Sequence, residues 1–287
     1  KITFTFNAQL IEEVDQYKYL GCIISNNKKP TSQLESVLVS ANRALHKVYS
    51  LMKPLGQAPP ILAAHLFDSM IKPIIEYGAE IWATKTKLED IDIFERKFLK
   101  SMLKVRLQTP NLAVYGEYGR IPISHKIHEK IINYYFRIQS LPVTSLVYKS
   151  FQISKEFHDL GFHTWYSSVL TLMDYYGIPT NSLLTNNNTS HKKIVKSSIF
   201  TSFSRKWEDE LNETKGKLRT YALIKSKLVV EPYLQLNKSD LRYHIARFRV
   251  SSHNLQIERG RFAKNPPKPE DRLCEQCTLN AMEDELH

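Results

Sequence analysis

The stretch TSQLESVLVSANRALHKVYSLM, residues 31–52, decides the fold class. Leu34, Val37, Leu38, Ala41, Leu45, Val48 and Met52 recur at spacings of three and four, so they share one face of a helix. Ser32 and Glu35 have capping-box spacing at its start. Pro54 stops it, because proline lacks the N–H that the next turn needs. The same period repeats downstream. Pro59-Pro60 opens a second helix through Leu62, Leu66, Met70 and Ile71, and Pro73 predicts a kink or stop. Thr86 and Glu89 have the spacing to cap a third, whose Ile91, Phe94, Phe98, Met102 and Val105 form one stripe. Thr109-Pro110 reads as an N-cap followed by proline at the first helical position. Ile123, Ile127, Ile131, Tyr134, Ile138 and Leu141 make the next stripe.

Upstream of this block the period is two, not 3.6. Ile2, Phe4 and Phe6 alternate with threonines, Leu10 to Val14 follows, and Tyr17 to Ile24 is again β-rich. Short antiparallel strands are predicted over residues 1–25, too few to stand alone and expected to complete a sheet begun upstream. Downstream, residues 143–185 hold short helical patterns broken by Gly161, Gly177 and Pro179, and Asn186 to Ser190 reads as an exposed loop. Helical patterns return at Ile199–Leu211 and Leu218–Val230, and Ser239-Asp240 caps one through Leu241, Ile245 and Phe248. Pro266, Pro267 and Pro269 stiffen an extended spacer before an irregular end. The fold class is therefore mainly α with a short β start. Its segments are 1–25, 26–108, 109–237 and 238–287.

Composition limits the function. Of 287 residues, 40 are Lys or Arg and 29 are Asp or Glu, for a net charge of +11. Such a balance favours a polyanionic partner. A membrane is disfavoured, since no apolar run approaches the ~20 residues that span a bilayer, and no signal-peptide pattern opens the chain. Three cysteines exclude a disulfide scaffold and fit a reducing compartment. Neither G-x-G-x-x-G nor G-x-x-x-x-G-K-[ST] occurs, which removes the common phosphate-cradling loops.

Two constellations carry chemistry. Cys274-x-x-Cys277 followed by His287 has the ligand types and spacing of a structural zinc site, because a tight turn points both thiolates at one ion. The plain alternatives are two unrelated thiols or a redox C-x-x-C, but a redox motif should open a helix in a βαβ unit. Just upstream, residues 238–272 carry nine basic and four acidic side chains. Arg247, Arg249, His253, Arg259, Arg261 and Arg272, with Phe248 and Phe262 interleaved, suit phosphate contact and base stacking. A solvated basic face is the alternative. The third helix offers a second basic face in Arg96, Lys97, Lys100 and Lys104, with Arg106 just beyond. The acids Glu76, Glu80, Asp90 and Asp92 more simply solvate a helix face or complement its dipole than catalyse. Eight further histidines, His244 among them, lack ligand spacing and read as structural, and Cys22 reads as a small core residue.

At this point the residues resemble a family. Tyr17 to Gly21, Ala41 to Leu45, and Ile71 to Trp82 are similar to the region after the polymerase palm of non-LTR (LINE-type) retrotransposon reverse transcriptases. Thr109 to Glu117 with Gly119 to Pro122 resembles a further stretch of those polyproteins. The pattern from His253 to Gly260-Arg261, then Cys274, Cys277 and Glu283 to His287, resembles their C-terminal zinc knuckle. The resemblance implies an end of palm at 1–25, with Tyr19, Leu20 and Gly21 resembling the primer grip. It implies a helical thumb at 26–108, a linker at 109–237, and a CCHC-type knuckle at 238–287 whose fourth ligand would be a Cys beyond His287. It further implies RNA and DNA as partners, polyprotein domains upstream, and an intracellular ribonucleoprotein of nucleus and cytoplasm. Zn²⁺ would be structural. Mg²⁺ would belong only to a palm lying upstream, since no acidic pair sits on the β-rich segment; the chain alone is then expected not to synthesise DNA. A helical protein-interaction scaffold, or a decayed transposon remnant, is the rival reading.

Overall fold

The computed structural model describes all residues except 1–3, 8, 27–30, 57, 181–187, 214–215 and 237. It is mainly helical, with two short hairpins at the start. In the first, Thr5–Phe6 (β1) pairs with Gln9–Leu10 (β2); in the second, Gln16–Tyr19 (β3) pairs antiparallel with Cys22–Ser25 (β4). Tyr19 opposes Cys22, so Leu20 and Gly21 alone make the turn, with φ of 46° and 85°. Both positive values are those of a hairpin turn whose twist matches its strands, which suits Gly21 and strains Leu20.

Thirteen α-helices are described in the rest of the chain. Thr31–Met52 (α1) buries Leu34, Val37, Ala41, Leu45, Val48 and Met52, the face that the sequence predicts. Ser32 lies inside its first turn and not at a cap, and its Oγ instead accepts from Gln16 Nε2 at 2.9 Å. Gln33 is also turned inward, where Oε1 accepts the Ile23 N–H at 2.7 Å and ties the second hairpin to the helix. Pro60–Met70 (α2) ends before Pro73, which opens the short Lys72–Glu76 (α3). Ala79–Trp82 (α4) follows Gly78, and Glu89–Leu103 (α5) packs on α2 through the stacked rings of Phe67 and Phe98, 4.9 Å apart. Thr86 does not cap α5; its hydroxyl donates to the Trp82 carbonyl. Pro110, not Thr109, stands at the N-cap of Asn111–Tyr118 (α6).

Ile123–Gln139 (α7) is the central helix, in contact with α4, α5, α8 (Leu146–Asp159), α9 (Trp165–Tyr175) and α10 (Asn188–Glu213). Its buried set extends past the predicted stripe to Ile132, Tyr135 and Phe136, because neighbours cover it on several sides. The expected loop at 186–190 is corrected at its end: α10 begins at Asn188, and residues 186 and 187 lie outside the described set. Three short helices complete the chain: Arg219–Ile224 (α11), Ser239–Arg249 (α12) and Gln256–Arg259 (α13). Lys238 is the N-cap of α12, so the Ser239-Asp240 cap is not formed. One hydrophobic core runs from Leu34 to Val250. No helix among the described residues is long and apolar enough to cross a membrane.

Asp90 is exposed, as the reading of a solvated acid requires, but Asp92 is not, and Glu95 on the same helix is also turned inward. Asp92 is buried and accepts the Ser124 N–H at 3.0 Å and its hydroxyl at 2.7 Å, while Glu95 accepts the Ile123 N–H at 3.1 Å. The two carboxylates thus satisfy N–H groups that the start of α7 leaves without intrahelical partners. Burial pushes Glu95 up to about 7, against the opposing pull of Arg120 at 2.9 Å. The unfolded carboxyl ionises near 4.5, so the folded state holds the extra proton between the two values. Stability therefore falls as pH rises through that window, by about 2 kcal/mol from pH 5 to 7. Glu95→Gln is expected to flatten this slope. Calorimetric melting at pH 5, 6, 7 and 8 checks it, and an unchanged slope in the variant would rule the assignment out.

Candidate nucleic-acid interface and metal centre

The C-terminal arm folds back over α5 and α6. Arg249 of α12 sets its guanidinium on Glu117 of α6, with Nε and Nη2 each 3.0 Å from a carboxylate oxygen. Glu117 is fully buried, and the Tyr233 hydroxyl also donates to it. Glu231 supplies a second carboxylate to Arg249 at 3.1 Å, and Lys225 pairs with Glu231. Main chain meets main chain here too. Glu231 N–H donates to Glu117 O at 2.9 Å, and a Cβ on Gly119 would stand 2.1 Å from Val230 N. Only glycine allows that approach, and its φ of 57° favours glycine again.

This docking creates a cleft of about 840 Å³ between the end of α5 and α12, lined by Lys104, Arg106, His244, Arg247, Phe248 and His253 among others. Lys104 has a positive φ of 53°, which ends α5 and turns its chain over, and Nζ lies 4.0 Å above the Tyr243 ring. Arg247 donates from Nε to Lys104 O at 2.9 Å, which joins the two walls. Arg106 donates to Asn254 Oδ1 at 2.7 Å and faces the exposed Phe262 ring. Cations, an exposed Phe248 and histidines thus line one cleft, an arrangement that can take phosphates and stack bases.

Not every predicted basic residue belongs to it. Lys97 is exposed on α5, but Lys100 is buried and donates to Leu107 O and Asn111 Oδ1, so the expected outward face does not include it. Burial pushes its ammonium down to about 8. Arg96 is mostly covered and pairs with Glu89. Arg249 is consumed by Glu117 and Glu231. Arg272 is 8% exposed and donates to Ile257 O and Pro267 O, threading past Gly260, where a Cβ would meet its Cδ at 2.7 Å. Arg261 pairs with Glu258 at 2.9 Å, and Arg259 stays exposed. Conversely, His244, which the sequence leaves among structural histidines, is exposed in the cleft. No local pattern distinguishes it from the others.

At the other end, Leu273 bridges Met282 in antiparallel fashion, and Cys274 N–H donates to Ala281 O at 2.9 Å. This small loop carries Cys274 and Cys277 back beside His287. The three ligand atoms all lie within 4.8 Å of one another, and Cys277 Sγ is 3.2 Å from His287 Nε2. Cys274, Cys277 and His287 can therefore hold one metal ion, leaving a tetrahedral ion one further donor to find. The loop is clamped to the helical body. Glu283 O accepts from Ile257 N–H at 3.0 Å, Asp284 pairs with Arg219 at 2.8 Å, and Glu285 accepts from Thr220, Ser251 and His253. Burial works against ionisation of Glu285, but these hydrogen bonds outweigh it and hold the carboxyl down to about 2. His253, predicted to contact nucleic acid, is thereby fixed at the cleft wall by an acid two residues from a metal ligand.

The segments that carry the family resemblance at the N-terminus also meet. Tyr77 donates its hydroxyl to Leu20 O at 2.8 Å, and a Cβ on Gly21 would lie 3.1 Å from its ring. Gly78, with φ of 62°, would place a Cβ 2.8 Å from Cys22 Sγ. Cys22 is thus half-buried under α4, near Glu80, and burial raises its thiol pKa. Tyr19 and Leu20 remain exposed. No family model matches the chain, and no curated protein or solved structure is significantly similar to it.

Proposed function

We propose that this chain is a nucleic-acid-binding region of a non-LTR retrotransposon reverse transcriptase, in which the α5–α12 cleft grips RNA or DNA beside a zinc knuckle. The observation that carries it is the convergence of Lys104, Arg106, His244 and Arg247 on one cleft from segments about 140 residues apart in sequence. Carboxylates occupy Arg249 and Arg261 nearby, yet these four face open space without an ion-pair partner among the described residues. In this reading Cys274, Cys277 and His287 bind Zn²⁺ as a structural ion that secures the arm. Its soft thiolates and imidazole favour zinc over magnesium or calcium.

A salt titration tests the cleft. Log K for a duplex or a single strand is expected to fall linearly with log salt, by roughly 0.9 per phosphate neutralised on duplex. The triple variant Lys104→Gln, Arg106→Gln, Arg247→Gln is expected to reduce the duplex slope by about two to three. Substituting Lys97 alone should cost no more than about one unit. A slope indifferent to the triple variant would move the interface elsewhere, and no binding near physiological salt would favour the scaffold reading.

A further inference from the structure

A second polar cleft lies along α7 between α4 and α10, and the nucleic-acid reading does not use it. Lys130, Asn133, Tyr134 and Arg137 fall at i, i+3, i+4 and i+7 of α7, so they share one face. With Glu80 of α4 and with His191 and Lys192 of α10 they line a cleft of about 480 Å³. His191 is only 8% exposed, and among the described residues neither of its ring nitrogens has a hydrogen-bond partner. Asn133 Oδ1 on the same wall is likewise buried without one. A buried polar atom without a partner costs about 1–3 kcal/mol, so three around one space call for something that fills it.

The His191 ring packs 5.1 Å from the Phe136 ring centre, on the inner wall of the cleft. The charge on the cleft is unbalanced. Lys130 is offset by Glu80 at 3.1 Å and also donates to Glu76 O. Arg137 and Lys192 stand exposed at the rim, with no ion-pair partner for either among the described residues. Three cations therefore face one carboxylate. The volume is many times the ~30 Å³ of a water and falls within the range of ligand pockets, about 300–1,000 Å³.

We propose that this cleft binds a phosphate ester of nucleotide size, with Arg137 and Lys192 on its phosphate and His191 and Asn133 on its neutral polar part. A guanidinium fork and a mobile ammonium together suit a tetrahedral dianion, and the buried imidazole and amide suit hydroxyl or ring-nitrogen edges. The phosphate ester is either a free nucleotide or the 5′-phosphate end of a strand. The site is separate from the α5–α12 cleft and stands or falls independently of it.

Calorimetric titration of the full chain with adenosine 5′-monophosphate, adenosine, inorganic phosphate and a hexanucleotide with and without a 5′-phosphate tests the proposal. The monophosphate is expected to bind at one site, at least about tenfold more tightly than adenosine or phosphate alone. Arg137→Gln with Lys192→Gln, both exposed positions, should bring it down to the level of adenosine. His191→Phe should weaken monophosphate and adenosine alike by about tenfold while keeping the packing on Phe136. If that variant does not fold, the rim pair still decides. A hexanucleotide that gains affinity from its 5′-phosphate, and loses that gain in the rim pair, identifies a strand end as the source; affinity confined to the monophosphate identifies a free nucleotide. No saturable binding, or a monophosphate affinity equal to that of adenosine or unchanged in the rim pair, overturns the site.

Discussion

Glu117→Gln is expected to destabilise the protein by about 3 kcal/mol, because it removes one charge from a buried pair and leaves Arg249 short of a partner. Glutamine fills the same volume, so the loss reports charge and hydrogen bonding and not a cavity. Arg249 keeps Glu231 at 3.1 Å, which places the expected value at the lower end of the about 3–5 kcal/mol for breaking such pairs. Urea unfolding followed by fluorescence measures it. Trp207 is a suitable reporter, being buried and bonded through Nε1 to Leu112 O at the start of α6. A loss under about 1 kcal/mol would mean that the pair is solvated and that the arm docks by other contacts.

Zinc is expected to bind at one ion per chain, and Cys277→Ser or His287→Ala to weaken it by about a hundredfold or more, since each removes one of three ligands. Competition with a chromogenic chelator under reducing conditions measures both quantities. Cys22→Ser serves as the control, because Cys22 lies under α4 among other neighbours and should leave affinity unchanged. Equal zinc content in wild type and in Cys277→Ser would remove the knuckle from the proposed function without touching the cleft.

The helices were legible because their signal is local. Leu34 to Met52 recur at the helical period, and no distant residue is needed to see it. The Cys274, Cys277 and His287 group was legible for the same reason, as a tight turn and a short return fix its geometry. The basic residues were not. Lys100, Arg249 and Arg272 resemble surface charges in a one-dimensional reading, yet each is turned inward onto carbonyls or carboxylates. What turns Arg249 is Glu117, 132 residues away in the chain, and no period or motif encodes that pairing. Asp92 and Glu95 were similarly hidden, since they serve the first N–H groups of α7, and the Ser124 hydroxyl and Arg120 guanidinium that join them lie 25 to 32 residues away in the chain. Proline punctuation was right at Pro59-Pro60, which opens α2 as read, and one residue off at Thr109-Pro110, where Pro110 itself is the cap and the threonine takes no capping role.

The close passage of residues 229–231 over Gly119 has a consequence for the order of assembly. Hairpins such as α8–α9 and α1–α2 close short loops, which costs little chain entropy and proceeds fast. The contacts of Glu117 with Arg249 and of Arg106 with Asn254 join residues 132 and 148 apart, so they can form only once the intervening helices are in place. The arm is then the last part to arrive and the first to open by sub-global unfolding. Since Arg247 and His244 ride on it, the cleft is assembled only in the docked state, and amide exchange in α12 should slow when a polyanion occupies the cleft.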